Sequence, residues 1–405
     1  MSALRIAGGL AAALMLAVSP ALAQKKYDPG ASDTEIKIGH SIPYSGPASA
    51  YGTIGKAIDA YFRMVNDHGG INGRKISFIT VDDGYSPPKT VEVVRQLVEQ
   101  EQVLLVFNTL GTPTNTAIQK YLNVKKVPQL FVATGASKWG KPDKFPWTMG
   151  WQPDYATEGA LYAKYVLENV PDAKIGLLYQ NDDFGKDYLE GVKRGLGRAN
   201  IAKLVAEVSF EVTDPTIDSQ IIQLKASGAN VFINTATPKA AAQAIRKAAE
   251  IGWRPTQFLT NVSSNIKTVL EPAGVDNAMG IITADYRKDP SDPQWAGEKG
   301  VSDWRAWMAK YNPDANVGDQ NYVYGYSVAQ TMEMVLRDAG DNLTRANIMK
   351  VAASIKDLQL PMLLPGVKIN TGPEDFYPIE AVQLARFNGK TWALFGAVIE
   401  SKPVE

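Results

Sequence analysis

Short apolar runs and helical apolar stripes alternate along this chain, separated by loops rich in glycine and small polar residues. Ile36 and Ile38 alternate with Glu35 and Lys37, and the run continues to Ile42, as a strand entering a buried sheet would. Ser45-Gly46-Pro47 ends that strand, because glycine permits positive φ and proline cannot continue a ladder. Ile54, Ile58, Tyr61, Phe62 and Val65 then recur at helical spacing and stop at His68-Gly69-Gly70. The pattern repeats. Lys75 to Val81 alternates as a strand, Val91, Val94, Leu97 and Val98 mark a helix face, and Val103 to Phe107 is a continuous apolar run suited to a parallel strand covered on both sides. A helix follows at 114–123, and a strand at Gln129–Val132 leads into the loop Ala133–Ser137. These units of about 25–30 residues predict a doubly wound parallel sheet.

Trp147 to Gln152 departs from the pattern, and a second alternation starts after Tyr155. It predicts helix 157–168, strand 174–179, a helix carrying Tyr188, Leu189, Val192 and Leu196 on one face, and strand 204–210. Helix 218–225, strand 231–234, helix 238–251 and strand 258–260 complete it. The strand at Gly280–Arg287 reads as the return to the first lobe. Helices at Pro293–Tyr311 and Asn321–Ala339 follow, then β runs at Val367–Asn370 and Ala381–Phe387, with Asn388-Gly389 as a hairpin turn. The fold class expected is α/β, two doubly wound parallel-sheet lobes joined by a multi-strand hinge, with a cleft that can close on a ligand.

In such folds small ligands sit beyond the strands' C-terminal ends, facing helix N-termini. Four loops qualify here: Ser45–Gly52, Asn108–Asn115, Ala133–Ser137 and Asp182–Gly185. Three precede helices, so unpaired N–H groups and the helix dipole favour an anion, most simply a carboxylate; the same groups can instead be capped by local Ser, Thr and Asp side chains. The loops lack the phosphate fingerprints G-x-G-x-x-G and G-K-[ST].

These pieces together resemble a known family. Ser45-Gly46-Pro47 with Tyr51-Gly52, then Asn66 with Gly69-Gly70-Ile71-Asn72-Gly73, Asp82-Asp83, and Asn181-Asp182-Asp183-Phe184-Gly185 are similar in order and spacing to the periplasmic branched-chain amino acid binding proteins of ABC transporters. The resemblance implies the type I two-lobed periplasmic binding fold, with lobes at 24–152 plus 283–360 and at 153–282 plus 361–405. It implies ligand contacts at Tyr51, at Gly111 and Thr112, at Ala133 and Thr134 or, by strict count, Gly135, and at Phe184, Thr237 and Asn261, with Tyr324 a further candidate as an aromatic residue of the pocket. Gly111 stands where the amino-acid binders offer a serine, and Phe184 where they carry a tyrosine. Asn261 stands where they place the glutamate that pairs with the ligand ammonium. A tyrosine expected near Thr237 is absent, and their cysteine pair is replaced by Tyr85 and Leu110. The ligand expected is therefore a carboxylate without an α-amino group. Tyr51, Phe184, Trp151 and Tyr324 could stack on an aromatic acid; Trp151 and Tyr324 could equally be core. The alternatives are a branched-chain amino acid ligand, or a sensory role presenting ligand to a receptor.

Composition narrows this further. Lys plus Arg and Asp plus Glu are 42 each, which argues against a nucleic-acid surface. There is no cysteine, and the two histidines, His40 and His68, cannot make a multi-histidine metal site, so no metal or cofactor is expected. Gly325-Tyr-Ser-Val-Ala is a poor nucleophile elbow, His40 reads as a packed histidine and Asp82-Asp83 as a turn cap, so no catalytic group is expected. Arg5, the apolar run Ile6–Val18 and Ala21-Leu22-Ala23 read as an export signal cleaved after Ala23, too short to span a bilayer. The expected protein is periplasmic and monomeric, and hands its ligand to a membrane ABC permease.

Overall fold

The computed structural model describes residues 25–400, so the expected export signal lies outside the described residues. In chain order the first part comprises β1 (Lys26–Tyr27), β2 (Glu35–Ile42), α1 (Gly52–Asp67), β3 (Lys75–Asp82), α2 (Pro87–Glu99), β4 (Leu105–Phe107), α3 (Thr112–Lys125), β5 (Gln129–Val132) and β6 (Thr148–Gly150). Strands β3-β2-β4-β5-β6 form a five-stranded, all-parallel sheet. Strands β2, β3 and β4 each feed a helix across a loop that carries a glycine or proline breaker. At Gly46, φ is 79° and a Cβ would lie 2.7 Å from the Gly84 carbonyl oxygen, so only glycine fits the fold-back.

The chain then crosses to α4 (Tyr155–Asn169), β7 (Ile175–Gln180), α5 (Asp183–Asn200), β8 (Leu204–Phe210), α6 (Asp218–Ala226), β9 (Val231–Thr235), α7 (Pro238–Glu250), β10 (Thr256–Leu259), the single turn α8 (Glu271–Ala273) and β11 (Ile282–Asp285). It returns to α9 (Lys299–Tyr311), α10 (Asn321–Ala339), β12 (Asn342–Leu343) and α11 (Arg345–Ala352), with α10 packed on α1. The chain ends in β13 (Ala381–Phe387) and β14 (Trp392–Glu400). The second sheet has seven strands in the order β14-β13-β11-β10-β9-β7-β8. It is parallel except for the C-terminal hairpin, whose turn is held by Asn388 Oδ1 accepting from the Lys390 and Thr391 N–H groups.

Four expectations need correction. Strand β11 pairs with β10 and β13 inside the second sheet, so the crossing back follows Asp285 and the lobe boundary at 282/283 falls within a strand. The stretch 361–379 does not yet belong to the second sheet. Phe376 N–H donates to the Gly140 carbonyl and the Tyr377 hydroxyl to that of Ser137, both beside β5 and β6. Val367–Asn370 is not a strand; Ile369 makes only isolated bridges to Leu358 and Ile379, because the two prolines and two glycines around it prevent a ladder. The start of the long helix is also reduced, with a 3-10 turn at Pro293–Trp295 before α9.

His40 is fully buried, donates from Nδ1 to the Phe107 carbonyl at 2.8 Å, and is driven down to a pKa of about 4 by burial. Asp82 and Asp83 cap the β3 turn: Asp82 accepts from the Tyr44, Ser45 and Gly84 N–H groups, and Asp83 from Tyr85 N–H and the Thr90 hydroxyl. Both are structural.

Candidate functional site

The C-terminal ends of the two sheets face each other across a cavity. It leaves about 40 Å³ for the centres of water-sized spheres, where one water needs roughly 10–15 Å³. That is room for a small molecule. The first-lobe wall is Tyr51 and Ile54 ahead of and within α1, Tyr85 after β3, Leu110, Gly111 and Thr112 at the start of α3, and Ala133 after β5. Asn321 and Tyr324 on α10 close that side. The second-lobe wall is Tyr155, Phe184, Thr237, Asn261, Val262, Tyr286 and Arg287, and Gln152 enters from the first crossing.

Of the ten residues expected from sequence, eight line this cavity: Tyr51, Gly111, Thr112, Ala133, Phe184, Thr237, Asn261 and Tyr324. Thr134 and Gly135 stand behind the wall. The Thr134 hydroxyl bonds that of Thr112 at 2.6 Å and accepts from Trp139 Nε1, and a Cβ on Gly135 would meet the Pro153 carbonyl oxygen at 2.1 Å. Trp151 is core; its Nε1 donates to the Thr331 hydroxyl and its ring packs edge-on against Tyr324 and Tyr286.

Helix α3 starts from Gly111, whose φ of 100° and tight fit against the Tyr85 ring (2.5 Å from an added Cβ) exclude any side chain there. A serine at this position would strike Tyr85, which explains the glycine. No side chain caps the first turn of α3. Across the cavity, α5 is finished differently: Asp182 Oδ1 accepts from the Phe184 and Gly185 N–H groups.

Six aromatic rings line the space, and Tyr155 meets Phe184 edge-on with centroids 5.0 Å apart. Burial pushes the Tyr51, Tyr85, Tyr155, Tyr286 and Tyr324 hydroxyls up, so all are neutral donors or acceptors. Tyr324 Oη accepts from Asn108 Nδ2 at 3.1 Å, which leaves its own proton to donate. Tyr155 Oη accepts from Gln152 Nε2 at 3.0 Å.

The sequence reading missed Arg287. Its Nε and Nη2 bond Asp285 at 2.9 and 3.1 Å, and Nη2 also reaches the Asn261 carbonyl and the Ser264 hydroxyl. Burial alone would lower the guanidinium's pKa; the Asp285 carboxylate more than offsets this and holds it raised. The signal was present: Asp285 and Arg287, two apart on an otherwise apolar strand, are costly to bury unless paired. Tyr85 and Leu110, noted only as cysteine replacements, also line the cavity.

Behind Asn261 lies a second buried carboxylate. Glu158 accepts from Asn261 N–H at 2.9 Å, from the Tyr162 hydroxyl at 2.6 Å and from Asn261 Nδ2. Burial pushes Glu158 up to about 7, against the pull of those donors.

The sequence also matches the periplasmic binding protein family model over residues 35–391. The chain belongs to the periplasmic binding protein family. Its relatives include a Leu/Ile/Val-binding protein homologue of Brucella suis, 24% identical over 322 residues, covering 77% of this chain and 81% of the relative. A second homologue, from Brucella abortus, is 23% identical over 337 residues, covering 81% and 84%. Among solved structures, a branched-chain amino acid ABC transporter protein from Thermus thermophilus with bound valine superimposes with a TM-score of 0.81 at 15% identity, covering 92% of this chain and 98% of that one. A fatty acid ABC transporter substrate-binding protein from Thermomonospora curvata gives 0.75 at 22% identity, covering 93% and 95%. The fold is thus the type I periplasmic binding fold, and the family's members are solute-binding proteins of the periplasm. Among the described residues no helix is long and apolar enough to cross a membrane, and no group of three His, Cys, Asp or Glu could hold a metal ion.

Proposed function

We propose that this protein is the periplasmic substrate-binding component of an ABC importer, and that it closes its lobes around a small, aromatic carboxylate carrying no amino group. One observation carries the reading: among the described residues lining the cavity, the sole charged side chain is the Arg287 guanidinium, and no Asp or Glu is present. A ligand ammonium would be buried without a carboxylate partner, which costs several kcal/mol. The uncapped first turn of α3, with Thr112, would hold the ligand carboxylate. The ring of neutral tyrosines and Phe184 would enclose its apolar body. The fatty acid transporter relative is named for a carboxylate that also lacks an amine.

Closure would be fastened between Ser137-Lys138 after β5 and the first turns of α5. Ser137 N–H donates to Asp187 at 2.9 Å, and Lys138 Nζ pairs with Asp183 at 2.7 Å. The closed pair of lobes would then be what the permease docks.

A second reading, a branched-chain amino acid ligand, is favoured by the names of the Brucella relatives and by Glu158. Turning the Asn261 side chain aside would uncover that carboxylate towards the cavity. Calorimetric titration of ligand-stripped protein separates the two. Micromolar or tighter binding of benzoate, a hydroxybenzoate or a hydroxycinnamate, with leucine, isoleucine and valine silent, supports the first reading. Tight leucine binding overturns it.

A further inference from the structure

We propose that Arg287 is a specificity-determining residue that reads a neutral oxygen acceptor on the ligand, at the end remote from its carboxylate. The ligand would then be an acid bearing a second, uncharged oxygen function, such as an ether, ketone or phenol. This rests on the carboxylate reading above and extends it.

Three features of the site carry the inference. First, Arg287 reaches the cavity held by second-lobe groups, Asp285, Asn261 and Ser264, whereas the α3 start that would take the carboxylate belongs to the first lobe, so the two ends of the ligand would meet different walls. Second, the guanidinium is fixed before any ligand arrives. Nε and Nη2 are held by Asp285, the Asn261 carbonyl and Ser264 Oγ, and Nη1 takes part in none of those bonds. A planar donor held on one edge presents its remaining N–H groups in a set direction. Third, Asp285 already cancels the positive charge. A second carboxylate on the ligand would bring an uncompensated negative charge into a buried site, whereas a neutral oxygen receives a charge-assisted hydrogen bond without one. Tyr324, on the first-lobe wall, adds a donor within reach of the Arg287 charge. Its hydroxyl accepts from Asn108, so its proton is free to donate, and the Arg287 charge acts directly on it.

The test uses isosteric pairs that differ by one acceptor oxygen: 4-methoxybenzoate against 4-ethylbenzoate, and the 3-substituted pair, with terephthalate and isophthalate as dianions. Each is titrated into the full mature chain. In the wild type one methoxy acid should bind at least about tenfold tighter than its ethyl partner, and both dianions should bind more weakly than that methoxy acid. In Arg287→Lys, which keeps the charge but loses the fork, the methoxy-to-ethyl ratio should fall towards one. Methoxy and ethyl acids binding equally in the wild type, or a dianion binding tightest, overturns the role of Arg287 while leaving the carboxylate reading intact. Silence of every acid with leucine bound removes both. The wild-type ratio decides the matter even if Arg287→Lys does not fold.

Discussion

Helices α3 and α5 both bring their first turns to the cavity, through Thr112 and Phe184, and the two lobes that carry them share one βαβ architecture. Yet α5 satisfies its own N–H groups with Asp182, whereas α3 begins at a glycine with no side-chain cap. A capped helix start is chemically closed; an open one facing a buried cavity invites an anion. The same asymmetry recurs deeper in the walls. The first-lobe wall carries no charged side chain, while the second lobe buries two carboxylates just out of reach, Asp285 under Arg287 and Glu158 under Asn261. The difference suggests that the first lobe fixes the acid group and the second lobe reads the rest of the ligand.

Mutations can break this contrast. The largest effect is expected from Thr112→Asp, which places a carboxylate where α3 is open. Like charges in a buried site cost several kcal/mol, so affinity for an aromatic acid should drop by about 100-fold or more in calorimetry. Unchanged affinity would move the carboxylate away from α3. Next is Glu158→Gln. The folded-state pKa of Glu158 is raised to about 7 from an ordinary value near 4.5. Its contribution to stability is therefore complete below pH 4.5 and is lost as pH rises through 7. Denaturation of the wild type should show stability falling across that window by up to about 1.4 kcal/mol per pH unit. The Gln variant should flatten that part of the profile; an unaltered slope would assign it elsewhere. The smallest effect is expected from Asp182→Ala, which uncaps α5. Stability should fall by about 1 kcal/mol, and affinity for the acid should change less than the stability does. A collapse of binding would mean that α5, not α3, holds the carboxylate.

How much of this was legible in the sequence follows from the range of each interaction. The βα alternation is a local pattern, so the parallel-sheet architecture of both lobes was legible, and eight of the ten candidate residues line one cavity. Thr134 and Gly135 were misplaced because residues on a strand-end loop alternate between the cavity and the wall behind it, which sequence counting does not resolve. Strand β11 was assigned to the wrong lobe because it borders a crossing, and the sequence does not show that it pairs with β10 and β13 before the chain leaves the second sheet. That same error hid Arg287, whose role depends on Asp285, Asn261 and Ser264 arriving from two segments of the chain. Tyr286, Tyr155 and Gln152 were passed over because aromatic and amide residues at crossings read as ordinary packing.

The central claim is that the cavity takes a carboxylate and has no place for an ammonium. Its most direct test is a calorimetric comparison of acids that differ only by the amino group: 3-phenylpropanoate against phenylalanine, and 4-methylpentanoate against leucine. The account predicts that at least one amine-free acid binds and that its amino counterpart binds at least about 100-fold more weakly. An amino acid binding tighter than its amine-free counterpart would contradict it, and would mean that Glu158 reaches the ligand past Asn261.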